Sequence, residues 1–361
     1  MRTIICAALR PSVRLRIARF VGIAILSVPF LEPVRAQSTK PVSAESASVT
    51  VADKDWSDLE SLLPNATGRQ AGRVAKPEWA LIARQARQFK EVHGNDDRSK
   101  KIRKIELVAN LHLEEENEEL APATKKCLVD FLEDQTLPAE DRFDISAMSK
   151  ARELKVGKNR QVPDPRAVRE KHARELIREF PQDPRGYGYL LSTAQFGKSR
   201  GALEVAQEII DNRNVPEAIK NRARLLRAQR QLEGKPLSIK GVDLAKFRGR
   251  PLLIYSWTIK QPEIFRLVEG WAKGRDLGII GVNVDENTTA AENLTRSISV
   301  PGAQYYDRQG LDGTLTSQFK FTMPCSVYLV DADGVLRDVN GYEDTADKLV
   351  QLETVKKGGR P

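Results

Sequence analysis

The chain has 361 residues, 40% of them hydrophobic and 30% charged, with 58 Lys and Arg against 49 Asp and Glu and a formal charge of +9. Six arginines and one glutamate of that balance fall within residues 1–36, so the remainder carries +4 (9 − 5). A body so near neutrality makes no case for a nucleic-acid binder, whose affinity comes mainly from neutralising phosphates.

Residues 1–36 read as a secretory signal. Met1 to Arg19 holds five arginines and no acid, and Phe20 to Leu31 is apolar over a length that suits a signal peptide better than a membrane span. Val34-Arg35-Ala36 supplies small residues at the two cleavage-determining positions. The expectation is cleavage after Ala36 and export to a periplasm or cell envelope. The alternative is an uncleaved anchor, the one membrane attachment the sequence offers. Cleavage removes Cys6 and leaves Cys127 and Cys325 in an oxidising compartment. Cys127 lies beside the stripe Leu128, Phe131 and Leu132 and reads as a small core residue, so no bridge between the two is expected.

Residues 37–52 are mostly Ser, Ala, Val, Thr and Pro, the composition of a flexible tether. Apolar residues at helical spacing then run through residues 53–234. They predict helices over Asp55 to Leu63, Pro77 to His93, Arg98 to Leu113, Ala123 to Asp134, Ala139 to Leu154, Pro165 to Phe180, Pro184 to Phe196, Ser199 to Asn212 and Pro216 to Leu232. Several begin with proline in the first turn, where a missing N–H is harmless. The last four look like a stack of helical hairpins of the tetratricopeptide kind, yet no 34-residue period holds, and an irregular all-helical domain fits equally. Either would offer a surface for holding a partner.

Between Arg69 and Lys104 stand eleven Lys or Arg and four acids, while Glu114-Glu115-Glu116-Asn117-Glu118-Glu119 is acidic. These runs read as solvated faces that complement each other, and Trp79 and Phe89 suit a core better than a base-stacking platform. Gly197-Lys198-Ser199 lacks the first glycine and the preceding strand of a phosphate loop. His93, His112 and His172 have no second ligand at metal spacing, and no cofactor motif is found. Asn65-Ala66-Thr67, Asn287-Thr288-Thr289 and Asn293-Leu294-Thr295 would take sugars only in a host that glycosylates exported chains.

Residues 235–361 change period. Lys235 to Gly241 reads as a short leading strand, and Pro251 to Trp257 as a buried central strand after the Arg248-Gly249-Arg250 turn. An amphipathic helix over Pro262 to Arg275 follows, its Ile264, Val268, Trp271 and Ala272 on one face. Leu277 to Asp285 is a second buried strand, almost continuously apolar as a covered parallel strand should be. Then come a helix at Thr288 to Ile298, an extended piece at Gln304 to Asp307, a short helix at Leu315 to Lys320, a strand and hairpin through Val330-Asp331-Ala332-Asp333-Gly334, and a closing helix at Thr345 to Val355.

These landmarks, in this order, resemble the thioredoxin-like domain of the TlpA and redoxin type. The resemblance implies a central mixed sheet flanked by helices behind an all-helical N-terminal domain. In that family a strand ending in Trp precedes Cys-x-x-Cys at a helix start. Laid on Trp257, the pattern puts Gln261-Pro262-Glu263-Ile264 there, with the proline kept and both sulfurs missing. The family's cis-proline corresponds to Pro324 in Met323-Pro324-Cys325, although counting back from Asp331 puts Cys325 in that place. Either a bulge absorbs the extra residue or Pro324 is not the cis-proline.

Dithiol exchange needs a thiolate and a resolving thiol, and Gln and Ile supply neither. The sequence therefore points to a binding or scaffold module in which Trp257, Gln261, Pro262, Met323 and Pro324 line a groove for an extended peptide or protein partner. A purely structural domain, with Trp257 and Met323 packed as core or rim, stands beside it. The alternative activity is thiol–disulfide or one-cysteine redox chemistry at Cys325, set near the start of the helix begun by Pro262.

Overall fold

The computed structural model describes residues 50–66, 75–115, 117, 119–154, 164–196, 199–340 and 345–357. The signal segment, most of the tether, Thr67 and Gly197-Lys198 lie outside them. The described residues divide into two compact units, one ending at Gly186 and the other beginning at Tyr187.

The first unit is helical: α1 (Val51–Ala66), α2 (Lys76–Val92), α3 (Ser99–Leu113), α4 (Pro122–Glu133), α5 (Ala139–Glu153) and α6 (Pro165–Glu179). Proline opens α2, α4 and α6, and the Asp164 carboxylate caps α6 by accepting from Arg166 N and Ala167 N. Leu59, Trp79, Ile82, Ala86, Phe89 and Ile102 form one core, so Trp79 and Phe89 are interior. Leu107, Leu111, Leu128, Phe131 and Ile145 form a second.

Two sequence expectations are corrected here. Cys127 is exposed: α4 buries Thr124, Leu128 and Phe131, a stripe that Cys127 misses by one residue, about 100° of helical rotation. The basic run finds acids other than Glu114–Glu119. Arg87 meets Glu106, Arg98 meets Asp53 and Asp96, Arg103 meets Asp134, and Lys104 meets Asp141 and Asp144. Glu114 instead accepts from Ala121 N (2.7 Å) and Thr124 Oγ1 (2.6 Å), holding the first turn of α4.

In the second unit, α7 (Arg185–Gln195), α8 (Ser199–Asp211) and α9 (Glu217–Arg230) precede the sheet. The strands are β1 (Leu252–Trp257), β2 (Gly278–Asn283), β3 (Ala303–Tyr306), β4 (Val327–Val330) and β5 (Leu336–Val339), in spatial order β3-β2-β1-β4-β5. β1, β2 and β3 run parallel, β4 runs antiparallel to β1, and β5 antiparallel to β4. Alternate residues of β1 feed two cores. Leu252 and Ile254 join Val282, Phe319 and Tyr328 on one face. Leu253, Tyr255 and Trp257 join α10 (Glu263–Ala272), α11 (Thr288–Ser297) and α13 (Thr345–Lys357) on the other. The short α12 (Thr314–Phe319) brings Phe319 to the first face. This is a thioredoxin-like sheet domain.

The leading strand expected at Lys235 to Gly241 is reduced to an isolated bridge, Pro236 with Val335, between the positive-φ residues Gly234 and Gly241. Proline there has no N–H for a ladder, and the two glycines turn the chain away on either side.

What ties α7–α9 to the sheet is polar and buried. Arg230 donates to the carbonyls of Gln195 (2.6 Å) and Val339 (3.0 Å) and to Glu233 (2.9 Å). Gln229 donates to Tyr328 Oη (3.0 Å) and accepts from Asn340, whose own Oδ1 accepts from Val327 N (3.2 Å). The last turn of α9 therefore belongs to the sheet domain as firmly as any strand neighbour.

Candidate functional site

Gln261, Pro262 and the turn Met323-Pro324-Cys325 meet at the carboxyl end of β1. β1 delivers Trp257 to this end; Gln261 N then bonds to Thr258 O (3.1 Å), and α10 starts at Glu263 with Pro262 as its cap. The Cys325 thiol donates to Gln261 Oε1 at 3.2 Å. The residue standing in the first cysteine's place thus faces Cys325 with an amide, and among the described residues no second sulfur joins them: Cys127 and Cys325 are both free.

Gln261 is exposed, Pro262, Met323, Pro324 and Cys325 are half-buried, and Trp257 is fully buried. Trp257 does not line a surface groove. Its indole N–H donates to Gln304 Oε1 (2.9 Å), and its rings meet Phe265 and Tyr306 edge-on. Gln304 in turn donates to Tyr255 Oη and Pro301 O. Trp257 is core, as its position on a strand buried along its whole length requires.

Pro324 is not a cis-proline, since no peptide bond among the described residues is cis. The extra residue is taken up by Cys325, which adopts φ +62°, a left-handed conformation uncommon for a residue with a side chain. β4 pairs with β1 without a break from Val327 to Val330, and the register shift opposite Leu329 and Val330 skips Arg337 of β5, so no bulge in β4 absorbs the extra residue before Asp331. The hairpin itself is as expected: Asp331 Oδ1 accepts from Asp333 N and Val335 N, and Gly334 turns at φ +80°.

Serines, Asn283 and Asp285, which the sequence reading passed over, hold this end of the sheet. Ser256 Oγ accepts from Ser326 N (2.8 Å), and Ser326 Oγ donates to Met323 O (2.8 Å). Asp285 Oδ2 accepts from Ile259 N and Asn283 Nδ2, both at 2.8 Å, fixing the loop between β1 and Gln261. Short polar residues at strand ends were the available signal, and only their mates in space make it readable.

Electrostatically the thiol is suppressed. Burial pushes Cys325 up to about 12, and the Glu263 and Asp285 carboxylates add to the rise by disfavouring a second negative charge. Among the described residues no group of three or more His, Cys, Asp or Glu could hold a metal. A shallow cleft lies at the opposite end of β1, lined by Leu237, Phe247, Arg248, Leu252, Val330 and Gly334, away from these residues.

No protein-family model and no curated protein matches the chain. Solved structures do. The C-terminal domain of a provisionally named thiol-disulfide oxidoreductase from Bacteroides thetaiotaomicron is 19% identical over 31% of this chain and 81% of its own, with a TM-score of 0.27. A provisionally named thiol-disulfide oxidoreductase from Bacteroides vulgatus is 24% identical over 32% of this chain and 80% of its own, with a TM-score of 0.26. A thioredoxin-like protein from Bacteroides caccae is 11% identical over 70% of this chain and 93% of its own, with a TM-score of 0.32.

Proposed function

We propose that this is an exported thioredoxin-like protein of a periplasm or cell envelope that has lost dithiol exchange and acts by binding an extended peptide or protein segment. The observation that carries this reading is the Cys325–Gln261 pair: a protonated thiol donates to a carboxamide where exchange would require a thiolate facing a second sulfur. Burial and the Glu263 and Asp285 carboxylates hold this thiol well above the ordinary cysteine range, which disfavours the thiolate that exchange needs. The same shift weighs against one-cysteine redox chemistry at Cys325. Gln261, Pro262, Met323 and Pro324 form the groove of this reading, with Trp257 as its buried support.

Insulin reduction assayed beside an active thioredoxin tests the lost activity. The unmodified protein is expected to give no turnover, and the pair Gln261→Cys with Ile264→Cys to gain some. Turnover by the unmodified protein overturns the reading. Binding is tested by fluorescence anisotropy with a labelled, carboxymethylated insulin B chain, and Met323→Arg is expected to weaken it at least about tenfold through a buried charge in the groove wall.

A further inference from the structure

The chain finishes one edge of its sheet and leaves the other open. Along β5 the backbone is engaged from outside the sheet: Leu336 N donates to Lys235 O (3.0 Å), Leu336 O accepts from Gly234 N (2.8 Å), and Val339 O accepts from Arg230 (3.0 Å). β3 has no such cover. Its parallel register sets Val282 opposite Tyr305 and Asn283 opposite Tyr306, and Asp307 N donates to Asn283 O (3.2 Å). Ala303, Tyr305 and Asp307 therefore turn their amides and carbonyls to β2, and Gln304 and Tyr306 turn theirs outward. Among the described residues the backbone N–H and C=O of Gln304 and Tyr306 have no hydrogen-bond partner. Ala303-Gln304-Tyr305-Tyr306 also lacks the charge, proline or bulge that commonly shields an edge, although its shortness limits what it can hold.

A second copy fits this edge by register. Antiparallel pairing about a two-fold axis at Tyr305 sets Gln304 of one copy against Tyr306 of the other, so each outward N–H meets an outward carbonyl on both chains. A slip of two residues leaves half of them unpaired. The same axis sets the small, exposed Gly302 and Ala303 against Arg308 and Asp307 of the second copy, and the Asp307 carboxylate is held by Leu315 N (2.7 Å) and Thr316 N (2.9 Å). No like charges are opposed.

We propose that β3 is a self-association edge, through which two copies of this chain pair antiparallel and continue the sheet across a two-fold axis. The contact is small, so the dimer forms in proportion to concentration.

The test uses the unmodified protein. Sedimentation equilibrium carried to about 0.2 mM should show a monomer passing into a dimer, as a small interface requires. Over the same range the Gln304 and Tyr306 amides should slow in hydrogen exchange by about threefold, while those of Ala303 and Tyr305, bonded to β2 in either state, should not change. Cross-linking in a Cys127→Ser background checks the register: Tyr305→Cys should oxidise to a covalent dimer, and Ala303→Cys, about 14 Å from its own counterpart at about 3.4 Å per residue, should not. A monomer throughout overturns the proposal. So does a dimer in which the Gln304 and Tyr306 amides exchange unchanged, or one that cross-links through position 303 and not 305.

Discussion

The helical unit and the sheet unit use the same polar residue types to opposite effect. In residues 50–186 the charges sit on rims: Lys104 reaches Asp141 and Asp144 at 2.6 and 2.7 Å with a quarter of its side chain exposed. From Tyr187 onward one polar network is interior. Gln229 and Asn340 are fully buried, Arg230 is 3% exposed, and between them they bind two carbonyls, a tyrosine hydroxyl and a strand N–H. A charge pair in water contributes little, whereas a buried donor stripped of its partner leaves the full desolvation penalty behind. The two units should therefore answer differently to the same kind of substitution.

The largest difference is expected at Arg230. Arg230→Met removes the donor to Gln195 O and Val339 O and leaves both carbonyls and Glu233 without it, a loss of about 3 kcal/mol. Amide exchange in β4 and β5 during urea titration measures it. A loss under about 1 kcal/mol would show that α7–α9 are an appendage to the sheet rather than part of it.

That residue also marks where the sequence stopped being legible. Helix starts followed from proline in the first turn, as at Pro77 and Pro165, and the strands at Leu252–Trp257 and Gly278–Asn283 from largely apolar runs. The meeting of Gln261 with Cys325 followed from an alignment that needed only the Trp and the proline as anchors. Gln229 and Arg230 were invisible because periodicity assigns polar residues to the surface, and only Tyr328 and Val339, about 100 and 109 positions away, make them interior. Cys127 was misplaced for the converse reason: one residue of phase separates a helix's buried stripe from its exposed flank. Trp257 was taken for a groove wall because strand position alone does not say which end of a side chain meets solvent.

The two free thiols give the next contrast. Cys127 is exposed on α4, while burial holds Cys325 near 12. In the reduced protein at pH 7.5, iodoacetamide should label Cys127 at least about a hundredfold faster than Cys325, read by peptide mass mapping. Comparable rates would revive redox chemistry at the turn. Smaller still is Lys104→Met in the helical unit. Burial pulls this ammonium down, and the hydrogen bonds to Asp141 and Asp144 more than offset it. With both carboxylates able to turn to water, the loss should stay under about 1 kcal/mol by urea midpoint.

The smallest effect sharpens the contrast most, because its sign differs between the units. In the helical unit Asp134 is held down to about 2 by hydrogen bonds from Thr136 and Arg103, and Asp96 to about 2 by those from Arg98. Carboxyls depressed in the folded state stabilise it above their unfolded value near 3.8 and lose that contribution as pH falls towards 2. In the sheet unit burial raises Glu233, an effect that Arg230 only partly opposes. A raised carboxyl binds its proton more tightly when folded, so its unit gains stability as pH falls from neutrality through that raised value. Amide exchange followed residue by residue from pH 7 to pH 5, corrected for intrinsic rates, should therefore show β5 and the end of α9 becoming slightly more protected while α3 and α4 stay unchanged. Below pH 4 the helical unit should lose protection first. A parallel decline of both units from pH 7 downward would mean that Glu233 is solvated, and that the interior network around Arg230 is looser than its hydrogen bonds imply.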